Sequence, residues 1–331
     1  MNVTDTLVLT RRDVEDLLGW DECIGAVEDA FRLHVEGRSL SPGVLGVRAP
    51  RGGFHVKAAG LDVGRLYFAA KTNANFSDNP SRRGLPAIQG VIVLCDADDG
   101  RPLAVMDSIE VTIRRTAAAT AVAARHMARP EARTATICGC GSQGRAQLRA
   151  LLRVLPIERA FALDSDESAA AAFARDLSAE LGIDVRPAVD LAAALAESDV
   201  CVTCTPSRKP FLLRGDVRPG TFVAAVGADS PDKQELDPHL MAAGTVVTDV
   251  LEQCAVMGDL HHALDAGVMS RDAVHAELAD LATGRKPGRR CVEEITIFDS
   301  TGTALEDVAA AVVVYEKALA HGAGLRVALG S

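Results

Sequence analysis

Several short stretches of this 331-residue chain carry residue types that could do chemistry, and the most specific is Gly139-Cys140-Gly141-Ser142-Gln143-Gly144. It is a complete G-x-G-x-x-G. Gly139 would make the tight turn out of a strand, Gly141 would let a pyrophosphate approach the backbone, and Gly144 would allow a helix to pack closely on the strand. The helix opening near Ser142 would aim its first N–H groups at phosphates. Alone the pattern is weak, because glycine-rich turns also occur by chance and in methyltransferases. Here an apolar strand precedes it, and Asp164 ends the next apolar run about 20 residues further on, the spacing of a ribose-binding acid. A carboxylate there accepts from ribose hydroxyls and repels a 2′-phosphate, which points to NAD rather than NADP. The plainer reading of Asp164 is a turn or helix-capping residue. Thr205-Pro206-Ser207 and Gly227 follow two further apolar runs, at the carboxyl edge where such sheets bind ligands; a simple turn role is the alternative for Thr205.

Hydride transfer to a dinucleotide also needs cations for a substrate carboxylate and a group that moves a proton. Lys71 ends the apolar run FAAKTNANF, where a bland core would hold no charge. Arg114-Arg115-Thr116 precedes an Ala-rich helix over residues 117–128, and an arginine there can grip a carboxylate or phosphate with two parallel bonds. Adjacent arginines cannot both face inward, so one of the two is expected to be solvated. Asp229, in GADSPDKQEL, follows an apolar strand and could exchange a proton with a substrate nitrogen; a turn aspartate before Pro231 is the plainer reading. No Ser/His/Asp order or G-x-S-x-G points to nucleophilic hydrolysis. Cys201 and Cys204 lie in the apolar run DVCVTCT, without a second pair at zinc spacing, so no metal site is expected.

The elements that must position these residues change character near residue 134. Before it, a helix over residues 23–36 accompanies strands at 53–58, 67–72, 90–95 and 103–107, with Asp98-Asp99-Gly100 as a hairpin turn. Beyond it, strands at 134–138, 160–164, 200–205, 221–226 and 245–249 alternate with helices at 142–154 and 167–181, the signature of βαβ units on a parallel sheet. A last strand at 294–298 leads through a turn into a long Ala/Val-rich helix over residues 304–321, expected to return to the amino-terminal region. The fold class is therefore α/β: a Rossmann doubly wound parallel sheet plus a second α/β domain.

Composition narrows the function. The net charge is −10 and aromatics make up 4%, a balance that disfavours nucleic-acid partners. The Arg285–Arg290 stretch reads as a solvated loop. The start MNVTDTLVLT has no basic region ahead of a long apolar core, and no apolar run reaches the ~18 residues a membrane span needs. A soluble cytoplasmic protein without membrane partners is expected, its eight cysteines as free thiols.

Taken together, FAAKTNAN, GLPAIQGVIVLCDADDGRPLAVMD, RTAAATAVAA, CGCGSQGR, DVCVTCTPS, VGADSPDKQELD and TIFDSTGTALED resemble the ornithine cyclodeaminase/mu-crystallin family over nearly the whole length. The resemblance implies a substrate-binding and dimerisation domain from residues 1–116 with 303–331, and an NAD-binding Rossmann domain from 117–302. It implies that Arg48, Lys71 and Arg115 bind the substrate carboxylate and that Asp229 transfers a proton. Arg115 and Thr116 would lie near the cofactor phosphates, and Ser300 with Thr301 on the nicotinamide side. The implied activity is an NAD(H)-dependent interconversion of a small amino acid and its imine, in a homodimer. Two alternatives stand beside it: a cyclodeaminase that recycles its NAD and releases ammonia, and a non-enzymatic crystallin-like binder. Cyclodeaminases of the family place a glutamate upstream of the lysine to hold a distal ammonium; the corresponding stretch here is Gly53-Phe54-His55-Val56-Lys57, which does not favour a diamine.

Overall fold

A computed structural model describes residues 5–76 and 78–329; Met1–Thr4, part of the opening read for a leader, lie outside them. The chain divides into two units, one ending at Arg115 and resuming at Thr303, the other spanning Thr116–Gly302. The first part runs β1 (Asp5–Leu9), α1 (Arg11–Leu17), α2 (Trp20–Val35), β2 (Ser39–Ala49), β3 (Gly52–Asp62) and β4 (Leu66–Asn75). It continues with α3 (Asn79–Arg83), β5 (Ile88–Asp96), β6 (Pro102–Asp107) and α4 (Ser108–Met127). The turn between β5 and β6 forms at Asp98-Asp99-Gly100, where Gly100 takes φ 76°, a left-handed conformation that costs glycine least. Asp96 Oδ1 accepts the Asp98 N–H at 2.9 Å to hold it.

One expectation is corrected here. Helix α4 starts at Ser108, where the Asp107 carboxylate accepts the N–H groups of Ile109 and Glu110 at 3.0 and 2.9 Å. Arg114, Arg115 and Thr116 therefore lie inside the helix, not ahead of it. The β-branched segment IEVTI hid the start, since such residues favour strands as readily as helices.

The second unit alternates strands and helices: β7 (Thr134–Cys138), α5 (Ser142–Leu151), β8 (Arg159–Leu163), α6 (Glu167–Leu181), β9 (Asp184–Pro187), α7 (Leu191–Glu197) and β10 (Val200–Thr203). Then come β11 (Arg208–Leu212), β12 (Phe222–Ala225), β13 (Gln234–Leu236), α8 (Pro238–Ala243), β14 (Thr245–Thr248), α9 (Leu251–Met257) and α10 (Asp259–Asp265). It closes with β15 (Ala276–Glu277), α11 (Leu278–Ala282) and β16 (Thr296–Asp299). Eight strands form a parallel sheet in the order β15-β14-β16-β12-β10-β7-β8-β9. Strands β10 and β12 are buried at every position, as a sheet covered on both faces requires.

The chain returns to the first unit as α12 (Ala304–His321) and β17 (Leu325–Ala328). Thr303 and Glu306 form a capping box at the start of α12, and Gly322 ends it at φ 66°. The helix packs on α2, β3 and β4. The sheet of this unit runs β17-β1-β6-β5-β4-β3-β2. Its edge strand β2 went unread in the sequence because Pro42, Gly43 and Gly46 break the pattern; prolines and glycines are tolerated on an exposed edge.

Candidate active site

In the second unit the glycine turn joins β7 to α5 as expected. Gly139 has φ 104°, and a Cβ there would lie 2.8 Å from the Cys204 carbonyl oxygen. A Cβ on Gly144 would run into the Gly139 carbonyl oxygen, so α5 can approach β7 only with glycine at that position. Gly141 has open space around its would-be Cβ. It caps α5 without a side-chain bond, which leaves that helix start available to an anion. The Gln143 Nε2 nearby is buried without a hydrogen-bond partner. Asp164 sits across the turn, its Oδ2 accepting the Cys140 N–H at 2.8 Å and its Oδ1 accepting the Asp166 N–H at 3.0 Å. Asp166, not Asp164, caps α6. A cleft of about 600 Å³ is lined by Gly139, Asp164, Val189, Leu191, Thr205 and Ser207, among others. An uncapped helix start, an orphaned amide donor and a glycine with no side chain in the way fit a dinucleotide.

Further along the same sheet edge, buried carboxylates staple the loops. Glu235 accepts from the N–H groups of Thr205 at 2.6 Å and Gly227 at 2.9 Å. Asp249 Oδ2 accepts from the N–H groups of Thr301 and Gly302 at 2.8 and 2.6 Å, and from Ser300 Oγ at 3.2 Å. Ser300 is thus buried and turned toward Asp249. Thr116 is half-buried within α4, and its carbonyl accepts from Thr120 Oγ1 at 3.4 Å.

In the first unit Lys71 and Arg115 come together around two acids the sequence reading missed. Lys71 Nζ lies 2.8 Å from Asp307, and Arg115 lies 2.7 Å from Glu306 and 3.0 Å from Asp307. All four are buried. Burial brings Lys71 down to about 7; Asp307 opposes that shift, while Arg115 and Lys57 add to it. Burial pushes Asp307 up, but Lys71 and Arg115 hold it below the ordinary carboxylate range. The two predicted cations are therefore clustered, each already facing a carboxylate. Glu306 and Asp307 escaped notice because acids in a helix's first turn are ordinary dipole partners. The clue is TALED, an acid pair that follows a capping threonine and leads straight into the run VAAAVVVY.

Strand register places the rest. Lys57 pairs directly with Lys71 across β3 and β4, and Arg48-Gly53-Asn75 forms a row four residues along. Because side chains alternate, Arg48, His55, Lys57, Lys71 and Asn73 share one face. Arg48 is exposed and stands roughly 16 Å from Lys71 by strand spacing, so the two share a face without touching. Asp229 belongs to the second unit, where its side chain is 56% exposed and paired with Lys233 at 2.6 Å. The expectation of one solvated arginine is corrected: Arg114 is 12% exposed, paired with Glu110 at 2.8 Å and stacked over Trp20. The two arginines leave α4 on different faces, and each face is covered.

Among the described residues no helix is long and apolar enough to cross a membrane. A family model, the ornithine cyclodeaminase/mu-crystallin family, matches residues 4–322. Alanine dehydrogenase of Archaeoglobus fulgidus is 40% identical over 98% of each chain. Among solved structures, an archaeal alanine dehydrogenase dimer with bound NAD superposes with TM-score 0.93 at 39% identity, covering 98% of this chain and 99% of that one. Thermococcus litoralis Δ1-pyrroline-2-carboxylate reductase in complex with NADH and L-proline gives TM-score 0.93 at 34% identity, covering 97% and 100%.

Proposed function

Since the chain belongs to the ornithine cyclodeaminase/mu-crystallin family, we propose that it is an NAD(H)-dependent amino-acid dehydrogenase or imine reductase, interconverting a small L-amino acid and its imine or 2-oxo acid. The observation that carries this reading is the glycine cradle: a turn that leads into an uncapped helix start, with Gly139 of that turn and Asp164 lining one cleft. Gly139, Gly141, Ser142, Gln143 and Gly144 would hold the pyrophosphate, Asp164 the adenosine ribose, and Thr205–Ser207, Gly227 and Ser300 the nicotinamide half. Arg115 and Thr116 are assigned to the phosphates as well. The bound dinucleotide supplies the hydride acceptor or donor.

The protein's own residues supply binding and proton transfer. Lys71 and Arg115 are assigned to the substrate carboxylate, with Arg48 on the same face as Lys71. Hydride leaves an amino acid only when its amine is neutral, so a base must take the ammonium proton. Asp229 is assigned that role, with Lys71, its acidity already near neutral, as the second candidate. Lys57 beside Lys71 disfavours a substrate with a distal ammonium, and so disfavours the cyclodeaminase reading. We assign the working form to a homodimer, supported by the exposed apolar side chains of Leu45, Val47, Phe54 and Val91 on one face of the first unit's sheet. A panel of amino acids with NAD tests the activity, following reduced cofactor and ammonia together. Net reduced cofactor supports a dehydrogenase; ammonia without it identifies a cyclodeaminase; neither overturns both.

A further inference from the structure

Glu235 is fully buried on the short strand β13. Its Oε1 accepts from the Thr205 N–H at 2.6 Å and the Thr205 hydroxyl at 2.7 Å. Its Oε2 accepts from the Thr203 hydroxyl at 2.8 Å and the Gly227 N–H at 2.9 Å. Thr205 and Gly227 each lie two residues beyond a strand end, and the two strands, β10 and β12, are neighbours in the sheet. One carboxylate therefore ties together the two turns at the sheet's carboxyl edge. The tie is itself anchored: Asp259 Oδ1 accepts the N–H groups of Glu235 and Leu236, each at 2.9 Å, and Asp299 accepts those of Asp259 and Leu260 at 3.2 and 2.9 Å.

A buried carboxylate whose four partners are neutral donors is a poor device for stability alone, because apolar residues of similar volume would fill the space at lower desolvation cost. What it provides is two acceptor oxygens, each taking a backbone N–H from a different turn. We propose that Glu235 is a positioning residue for the cofactor, clamping the Thr205 and Gly227 turns in the one arrangement that receives the nicotinamide-ribose half. The proposal rests on the reading of the cleft as a dinucleotide site. Gly227 fits it independently, since a Cβ there would lie 2.5 Å from the Glu235 carboxyl carbon. The cost of the clamp shows in its acidity: burial and then Asp259 push Glu235 up to about 7, against the bonds from Thr205 and Thr203.

An amide cannot replace this carboxylate. Whichever way Glu235→Gln is turned, its NH₂ meets one of the two backbone N–H groups. The test measures NADH affinity by fluorescence titration, AMP affinity by competition, and thermal stability, in wild type, Glu235→Gln, Gly227→Ala and the double variant. Each single change should weaken NADH about 10–100-fold, the range for losing a buried charged hydrogen bond. AMP, which reports the adenosine half bordered by Asp164, should bind within about threefold of wild type, as distant sites behave additively. The double variant should be no worse than the weaker single, because both break the same clamp. Unchanged NADH affinity in Glu235→Gln overturns the proposal, and so does an equal loss of AMP and NADH, which would mark a general structural role. If Glu235→Gln does not fold, Gly227→Ala decides by the same criteria. Wild-type protein that binds neither AMP nor NADH would instead overturn the dinucleotide reading.

Discussion

Lys71 titrates under two opposed neighbours, and that gives its role a signed test. Lys57 lowers its pKa and Asp307 raises it. Lys57→Met removes the like charge, so the limb of the kcat/KM–pH profile governed by Lys71 should move to higher pH. Asp307→Asn should move it lower, and breaking a buried pair should also cost about 3–5 kcal/mol of unfolding free energy. Profiles that shift in the same direction for both variants would exclude Lys71 as the titrating group. Asp229→Asn separates the other candidate: loss of a general base costs ~10²–10⁴-fold in kcat, with NADH affinity unchanged. Retained kcat would pass the role to Lys71. Cofactor preference is likewise a single-residue matter. Asp164→Ala should narrow the preference for NADH over NADPH by at least about tenfold, or about 1.4 kcal/mol, as steady-state kcat/KM ratios will show. That Lys71 is buried against a partner and that Asp164 lies at the glycine turn are both legible in the sequence, because each charge ends an apolar run. The same rule applied to Asp299, at the end of TIFD, would have pointed to the buried carboxylates behind Glu235.

Elements with strong periodicity were legible and those at exposed edges were not. The 304–321 helix was read at its observed bounds because a threonine cap, a continuous apolar stretch and a terminal Gly322 all agree. In the second unit β7, β8, β10, β12, β14 and β16 are legible to within a residue or two, since buried parallel strands are short unbroken apolar runs, whereas the short strands β9, β11, β13 and β15 are not. Strands β1 and β17 were missed because each is short and finds its partners only through the tertiary fold, and β2 because its apolar residues are exposed. The buried acids of the second unit set its response to pH. Glu235 rises from 4.5 to about 7 and Asp259 from 3.8 to about 6. The folded state therefore holds these protons more tightly than the unfolded chain. Their stabilisation is complete below the unfolded values and is lost as pH rises through the folded ones. The unfolding midpoint should fall between about pH 5 and about pH 7.5, and fall less in Glu235→Gln. Thermal melts followed by circular dichroism across that range check this; a midpoint that rises instead would overturn the upward shifts of Glu235 and Asp259.

At the scale of the whole molecule, the first unit's sheet has two unlike faces. The rows containing Lys71, His55 and Arg48 carry its charged chemistry, and α12 packs on β3, β4 and β5. On the other face, the rows Leu45-Val56-Thr72-Val91 and Val47-Phe54-Ala74-Gln89 are mostly apolar, with Thr72 and Gln89 their polar members. There Leu45 is 59% exposed, Val47 50%, Val91 45% and Phe54 40%. A contiguous apolar surface of this kind in a single chain marks an interaction site, and a self-complementary patch is what a twofold homodimer requires. Leu45→Asp places an unpaired charge at the most exposed apolar position of this face. Removing that charge from water without a partner costs several kcal/mol, so the dimer dissociation constant should rise by at least about 100-fold. If the proposed homodimer uses this face, the variant should sediment as a monomer at concentrations where the wild type sediments as a dimer, and a wild type that is monomeric throughout would overturn the dimer itself. NADH affinity should persist in the monomer, because the glycine turn, Asp164 and the Glu235 clamp all lie within Thr116–Gly302. Sedimentation combined with NADH titration separates the outcomes. A dimer that survives Leu45→Asp places the interface elsewhere, while a monomer that no longer binds NADH would mean that the cradle needs the partner subunit to form.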